Sequence, residues 1–403
     1  MTDTPFSATA SAVGYLFQCR YALLEGLRRL SEESSFIISI ETLDDVVFEK
    51  EGEATELLQA KHHLNKAANL TDASPDLWKT IRIWCEGISK WTITEDSIFY
   101  LVTTANAPKG SAAYYLKSNS DRDVIKSLER LRATSATSSS RENEAGYKAF
   151  RALHDNAQQS LLMRVYVLDA SPNIDDLDSV LRKEIFHAVN YKFLPSFLQR
   201  LEGWWFRRVI KHFVADSQMQ QPILSEELQD ELIRLRAQFK TENLPIDDDL
   251  HGLYRSIEAS GYEDSPFVQQ LRLIDIGNPR ILHAIRNYLK AFEQRSRWIR
   301  EDLLLVGELD RYEDQLFEEW ELYFDRMKDD LSADAIEDAK KRAAKALYNW
   351  VETDASIPIR SDCREAFITR GSYQILADRL RVGWHPEFQQ RLQHLLESQG
   401  QEV

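Results

Sequence analysis

From Ala12 to Leu30 apolar residues recur at helical spacing, at Val13, Leu16, Phe17, Tyr21, Leu24, Leu27 and Leu30, after small polar residues suited to a helix start. The period then changes. Phe36–Ile40 and Val46–Glu49 read as strands, Glu51-Gly52-Glu53 as a turn, and Glu56–His62 as a third strand. This order predicts a compact αβββ unit. Pro75–Lys90 returns to helical periodicity through Leu77, Ile81, Trp84 and Ile88, and Ser97–Thr104 reads as a buried strand. A further strand is predicted at Leu162–Leu168. Between these two strands, Ala133–Gly146 is rich in Ser, Thr and Ala with almost nothing to bury, which predicts a mobile surface loop.

Beyond Val180 the pattern is almost wholly helical, with apolar repeats in Phe197–Phe213, Glu226–Phe239, Arg280–Phe292, Leu303–Met327 and Ala333–Val351. Gly277-Asn278-Pro279 punctuates two of these helices. No repeat of fixed period points to a solenoid. The length of 403 residues suits two domains rather than one. The expectation is an α+β chain, with an α/β domain at 1–170 followed by an all-α helical domain at 171–403.

Charge adds a division of its own. The net charge of −15 argues against a protein that coats nucleic acid through overall basicity. Between Glu301 and Lys340 fifteen acidic residues face only Arg311, Arg326, Lys328 and Lys340, a balance of 4 − 15 = −11. That stretch would repel DNA; it reads as a solvated helix face or a surface for a basic partner. No apolar run is long enough for a membrane helix, and a cytoplasmic location is expected. Cys19, Cys85 and Cys363 lack both disulfide and zinc-ligand spacing and read as reduced core residues.

The candidate chemistry lies in the N-terminal strands. Phosphodiester hydrolysis needs a divalent ion held by acidic oxygens, a polarised water, and a cation against the charge that builds on the phosphate. Asp44 and Asp45 stand at the entry to the second strand, and Gln59 and Lys61 lie on one face of the third, with Leu58, Ala60 and His62 on the other. In this arrangement Asp45 coordinates Mg²⁺, with Mn²⁺ as an alternative. The Gln59 side chain or the Ala60 carbonyl adds a ligand, and Lys61 orients water or stabilises the transition state.

Three segments occur in order: Gly14-Tyr15-Leu16-Phe17-Gln18, Glu41-Thr42-Leu43-Asp44-Asp45-Val46, and Gln59-Ala60-Lys61-His62. With them, the first 130 or so residues resemble the PD-(D/E)xK endonuclease domain that is fused to sensor domains in bacterial cyclic-oligonucleotide antiphage (CBASS) systems. The resemblance implies a restriction-endonuclease-like fold, a catalytic set of Asp45, Gln59 and Lys61, and a supporting metal-site role for Gln18. Gln59 stands where that family more often has an acid, which leaves Glu41, Asp44 or a phosphate oxygen to complete the metal shell.

The second half carries Trp204-Trp205, Phe239, Leu244-Pro245, Ala284-Ile285-Arg286-Asn287-Tyr288, Gln294-Arg295-Ser296-Arg297-Trp298, Glu308-Leu309 and Tyr312-Glu313. It is similar to the helical C-terminal domains of effector subunits in ABC-three-component conflict systems, which include Lamassu. Together the resemblances imply a Mg²⁺-dependent endodeoxyribonuclease effector acting on double-stranded DNA. They also imply partners: an SMC-like ABC ATPase and a small adaptor subunit that restrain the nuclease, which is a homo-oligomer when active. An inactive nuclease fold that binds DNA or holds the complex together is the alternative, and an RNase effector a third reading.

Other residues have plainer readings. His62 falls on the apolar face and reads as structural, whereas His63 is a candidate DNA contact. Glu25 reads as surface solvation. The aromatics between 284 and 324 read as core and subunit contacts, and Arg295, Arg297 and Arg300 as candidates for phosphate or an acidic partner.

Overall fold

The computed structural model describes residues 6–33, 35–50, 53–62, 68–90, 93–94, 96–214, 221–254 and 261–392. The chain divides by packing into two compact units, Met1–Arg236 and Ala237–Val403. The first is mixed α/β and the second all helical, as the α+β expectation requires.

In the first unit α1 (Phe6–Arg29) leads into β1 (Ile37–Ile40), β2 (Val46–Lys50) and β3 (Glu53–Lys61), then α2 (Pro75–Ser89) and β4 (Ile98–Thr103). Next come α3 (Val124–Thr137), α4 (Glu144–Ala152), α5 (Asp155–Arg164), β5 (Val165–Leu168), α6 (Leu177–Glu184), α7 (Leu194–Val214), β6 (Ile223–Leu224) and α8 (Ser225–Gln238). The sheet order is β5-β4-β3-β2-β1-β6. β1, β2 and β3 pair antiparallel, whereas β3, β4 and β5 run parallel, so the C-terminal ends of three strands share one edge.

Alternation along the strands assigns the two faces. Val47, Leu57 and Leu101 pack with Trp78, Ile81 and Trp84 of α2 and with Leu128, Phe150 and Leu161 of α3–α5. α1 covers the other face, where the Arg29 guanidinium lies 3.6 Å from the Phe48 ring centroid. α2 starts with Pro75 at its first turn, where a missing N–H costs nothing, and buries Leu77, Trp78, Ile81, Trp84 and Cys85 on one stripe.

Two expectations change here. Ala133–Gly146 is not a loop throughout: α3, capped by Asp123 accepting from Lys126 N, runs to Thr137. The remainder is pinned by polar rather than apolar contacts, with buried Asn143 donating to Ala73 O at 2.8 Å. Gly146 lets α4 close onto α2, since a Cβ there would stand 2.6 Å from Trp78 O. The second change is the boundary, placed at 170/171 from sequence. α6 and α7 pack on α1, with Trp205 Nε1 donating to Cys19 O at 2.7 Å and Arg20 paired to Glu202 at 2.6 Å. β6, too short to leave a strand signal, pairs with β1. The first unit therefore keeps the chain as far as Arg236.

The second unit contains α9 (Leu250–Leu253), α10 (Pro266–Leu273), α11 (Asn278–Arg300), α12 (Glu308–Asp329), α13 (Glu337–Thr353) and α14 (Ala366–Asp378). α14 and α11 form its centre. They meet at Gly371, where a Cβ would lie 2.1 Å from Asn287 O and 2.5 Å from Ala291 Cβ. Trp298, Tyr312, Tyr348, Tyr373 and Trp384 are fully buried around them; of the aromatics between 284 and 324, Trp298, Tyr312 and Trp320 are core, whereas Tyr288 is half-buried and Phe292 and Tyr323 are exposed. Arg295, Arg297 and Arg300 already have acidic partners inside the unit: Arg295 pairs with buried Glu313, Arg297 with Asp249 and Glu293, and Arg300 with Glu293. All three cysteines are buried and free. No helix among the described residues is long and apolar enough to cross a membrane.

Candidate functional site

The loop between β1 and β2 carries the acidic residues. It is closed by Glu41 N donating to Asp45 O at 3.0 Å, with Glu41 in the left-handed region at φ 55°. A non-glycine residue at positive φ costs energy that the surrounding contacts must offset, and such positions concentrate at functional sites.

Asp45, side chain 12% exposed, aims at the end of β3. Its Oδ2 accepts from Ala60 N at 2.8 Å and lies 4.0 Å from Lys61 Nζ. Gln59, one residue before Ala60, is 1% exposed, and its Oε1 is buried without a hydrogen-bond partner. An orphaned buried carbonyl oxygen costs about 1–3 kcal/mol, which a ligated cation would offset. The three residues expected to form the catalytic centre are thus brought together.

Glu41 lies at the surface of the same loop. Desolvation of its carboxyl raises its pKa, the charge on Asp45 adds to the rise, and Lys61 opposes it.

Asp44 points elsewhere. Its Oδ2 accepts from Trp84 Nε1 at 2.7 Å and its Oδ1 from Asp45 N at 3.0 Å. Burial pushes its pKa up to about 7, against the pull of the Trp84 hydrogen bond. Both oxygens are engaged in ordering the loop, which makes Asp44 a strut between α2 and Asp45.

Gln18 is half-buried on α1, and no hydrogen bond joins its side chain to Asp45, Gln59 or Lys61 among the described residues. On α1, burial raises the pKa of both Tyr15 and Cys19, and the charge of Glu41 adds to the rise. Burial lifts the Cys19 thiol to about 11, so it stays protonated. His62 takes the opposite face, its ring centroid 4.9 Å from that of Phe17 and its Nε2 accepting from Ile174 N, in keeping with a structural role. His63 lies outside the described residues. Glu25 is not merely solvated; it pairs with Arg28 and Arg29.

Sequence reasoning missed Trp84 as a partner of the acidic loop. It had been counted only as a position on an apolar helix face, and a Trp indole N–H needs a buried acceptor that the one-dimensional pattern does not name.

The donor set is hard: carboxylates, an amide oxygen and backbone carbonyls, with a lysine beside them. It fits Mg²⁺ or Mn²⁺ better than a soft ion. Among the described residues, the one group of three His, Cys, Asp or Glu ligand atoms within 4.8 Å of one another is instead Glu337, His385 and Glu387 in the second unit. There His385 Nδ1 accepts from Glu387 N at 3.1 Å, so the neutral ring carries its hydrogen on Nε2 and has no lone pair for a metal. Burial lowers the His385 pKa, and Arg391 and Lys340 already hold the two glutamates. That cluster is an ion-pair network.

Residues 267–392 match the family model for C-terminal domain 7 of the ABC-three component (ABC-3C) systems. This supports membership in an ABC-3C system. The matched span runs from α10 to the end of the described chain, so the ABC-3C domain corresponds to most of the second unit. No curated protein matches the chain.

Proposed function

We propose that the chain is the nuclease effector of an ABC-3C defence system, of Lamassu type, whose first unit cuts double-stranded DNA in a divalent-ion-dependent reaction. The observation that carries this reading is the buried, unpartnered Gln59 Oε1 beside Asp45 and Lys61 at the C-terminal end of β3. The order of helix, three antiparallel strands, helix and parallel strand supports it as well, because the resemblance to PD-(D/E)xK enzymes implies such a core.

Asp45, Gln59 and Glu41 would hold the ion. When bound, Mg²⁺ would polarise the scissile phosphate and a water. Ala60 N–H fixes the Asp45 carboxylate, and the Trp84–Asp44–Asp45 chain keeps the loop from turning away. The Lys61 ammonium would donate to a phosphate oxygen and stabilise the negative charge that builds in the transition state. Glu41 and Asp45 repel DNA when no cation is present, so catalysis and substrate approach both depend on the ion.

The fifteen acidic residues of 301–340 disfavour DNA on that part of the second unit, which suits a role in docking protein partners. An SMC-like ATPase and a small adaptor that hold the nuclease inactive until activation, and its oligomerisation when active, belong to the same proposal.

A second reading, an inactive nuclease fold serving as a DNA-binding scaffold, is favoured by one observation. With Asp44 engaged by Trp84 and Gln59 uncharged, only Asp45 and Glu41 bring negative charge to an ion. The separating experiment is cleavage of supercoiled plasmid with Mg²⁺, then Mn²⁺, by wild type, Asp45→Ala and Lys61→Ala, with an EDTA control and an RNA lane, alone and with the other two components. Ion-dependent cutting by wild type only is expected. DNA binding without cutting in every assembly state would sink the enzyme reading in favour of the scaffold.

A further inference from the structure

In the first unit α6 and α7 are joined by a turn, 185–193, that carries exposed aromatic rings. Tyr191 is 76% exposed and Phe186 49% exposed, with centroids 6.4 Å apart and planes at 58°. The ring of exposed His187 stands 5.2 Å from that of Phe186, at 80° to it. Leu181 and Ile185 are buried and anchor the end of α6. Phe186 N donates to Lys183 O at 3.3 Å, so the helical spacing continues and sets Lys183, Phe186 and His187 on one outward face.

This turn is cationic in an acidic chain. No Asp or Glu occurs between Glu184 and Glu202. The two acids of α6 are already held, Glu184 by Arg28 at 3.0 Å and Asp178 by Arg182 at 2.7 Å. Lys183 is exposed and pairs with no acid among the described residues, and Lys192, next to Tyr191, is exposed as well. The turn lies away from Asp45. His62 packs on Phe17 toward the start of α1, whereas Glu184 meets Arg28 at its end, about 16 Å further along the helix.

We propose that this turn binds single-stranded nucleic acid, with unstacked bases against Tyr191 and Phe186 and phosphates on Lys183 and Lys192. The inference goes beyond the nuclease reading, since neither an ion nor Asp45 takes part. Flat ring faces left in water are matched by the π-face of any base, and the two ammonium groups offset the backbone charge. The tilts of 58° and 80° aim the rings in different directions. A flexible single strand can turn successive bases to such faces, whereas a duplex keeps its bases stacked on one another. An acidic peptide would satisfy the lysines and leave the rings in water, and a bilayer surface calls for a longer apolar face than two rings supply.

The test uses the full chain in EDTA, where the carboxylates of the Asp45 site repel nucleic acid and the turn is read by itself. Binding of a fluorescent oligothymidine of about 20 nucleotides is followed by anisotropy at low and high salt, beside a duplex of equal length. Wild type is expected to bind the single strand more tightly than the duplex. Tyr191→Ala and Phe186→Ala should each weaken that binding about 5-fold or more, and Lys183→Glu should weaken it and flatten its salt dependence. All three positions are exposed, and thermal melts confirm that the variants fold. Asp45→Ala should bind like wild type while plasmid cutting, read separately, reports on the nuclease. Wild-type affinity in the folded Tyr191→Ala/Phe186→Ala double variant, or no binding by wild type, sinks the stacking site whether or not plasmid is cut. Weakening by Asp45→Ala alone would move the contact to the metal site. Binding of phosphatidylserine vesicles or polyglutamate in place of the oligomer would make the occupant a membrane or an acidic protein and overturn the proposal.

Discussion

Asp44→Asn tests whether this aspartate is the buried strut described above or an outward-facing ligand. In the folded chain burial raises the Asp44 pKa from 3.8 to about 7, so between these values the native state holds a proton that the unfolded state has released. Stability contributed by that proton is full below the unfolded pKa and is lost as pH rises through about 7. Between pH 6 and pH 8 the loss is about 1.4 kcal/mol, from a folded pKa near 7 and an unfolded one near 3.8. Asparagine keeps the shape and cannot titrate. Its amide donor opposes either Trp84 Nε1–H or Asp45 N–H, which lowers stability by about 1–2 kcal/mol at every pH and cancels from the pH difference. The assay is urea unfolding of both proteins in EDTA at several pH values from 6 to 8, above the sequence pI of about 5.2, where solubility is poorest. The stability of wild type relative to Asp44→Asn should fall by about 1.4 kcal/mol across that range. A flat or rising difference would refute the reasoning and return Asp44 to the set of metal ligands.

Gln59→Glu places a second carboxylate beside Asp45; it should destabilise the ion-free protein by about 2 kcal/mol and tighten Mn²⁺ binding, read by unfolding in EDTA and by titration of the ion. Gly371→Ala drives a methyl into Asn287 O and Ala291, so α14 must shift from α11, and a loss of about 1–3 kcal/mol should appear as a lower melting temperature of the second unit. Glu313→Ala strands Arg295, whose side chain is 8% exposed, and should cost about 3–5 kcal/mol in chemical denaturation, with no direct effect on the Asp45 site. Trp84→Phe keeps the ring packing but removes the donor to Asp44; it should reduce plasmid cleavage less than Lys61→Ala does while weakening Mn²⁺ binding.

What the pattern made legible were features set by local period and order. The β1–β3, α2 and β4 segments and the end of α1 lie within a few residues of their expected positions, although α1 starts at Phe6 rather than Ala12, because alternation and helical spacing survive in elements with one buried face. Asp45, Gln59 and Lys61 were legible as a group for the same reason: a hairpin brings the start of one strand opposite the end of the next, and alternation puts Gln59 and Lys61 on one face. The similarity of the second half to ABC-3C C-terminal domains was legible as well, and residues 267–392 match that family.

Tertiary structure decided which polar groups those elements meet. Asp44 and Asp45 are adjacent and chemically identical, yet one is turned to Trp84 and the other to Ala60 N, because the loop must satisfy an indole N–H from α2 and a backbone N–H from β3 together. Arg295 is a surface cation by its residue type but is buried against Glu313. Ser- and Thr-rich 133–146 looks unable to fold until Asn143 finds Ala73 O and Gly146 finds Trp78. Periodicity by itself determined where the helices and strands of this protein lie, since it reports which face is buried. Long-range packing alone decided the extent of the first unit and the direction of each carboxylate, since hydrogen-bond partners distant in sequence leave no mark on the local period.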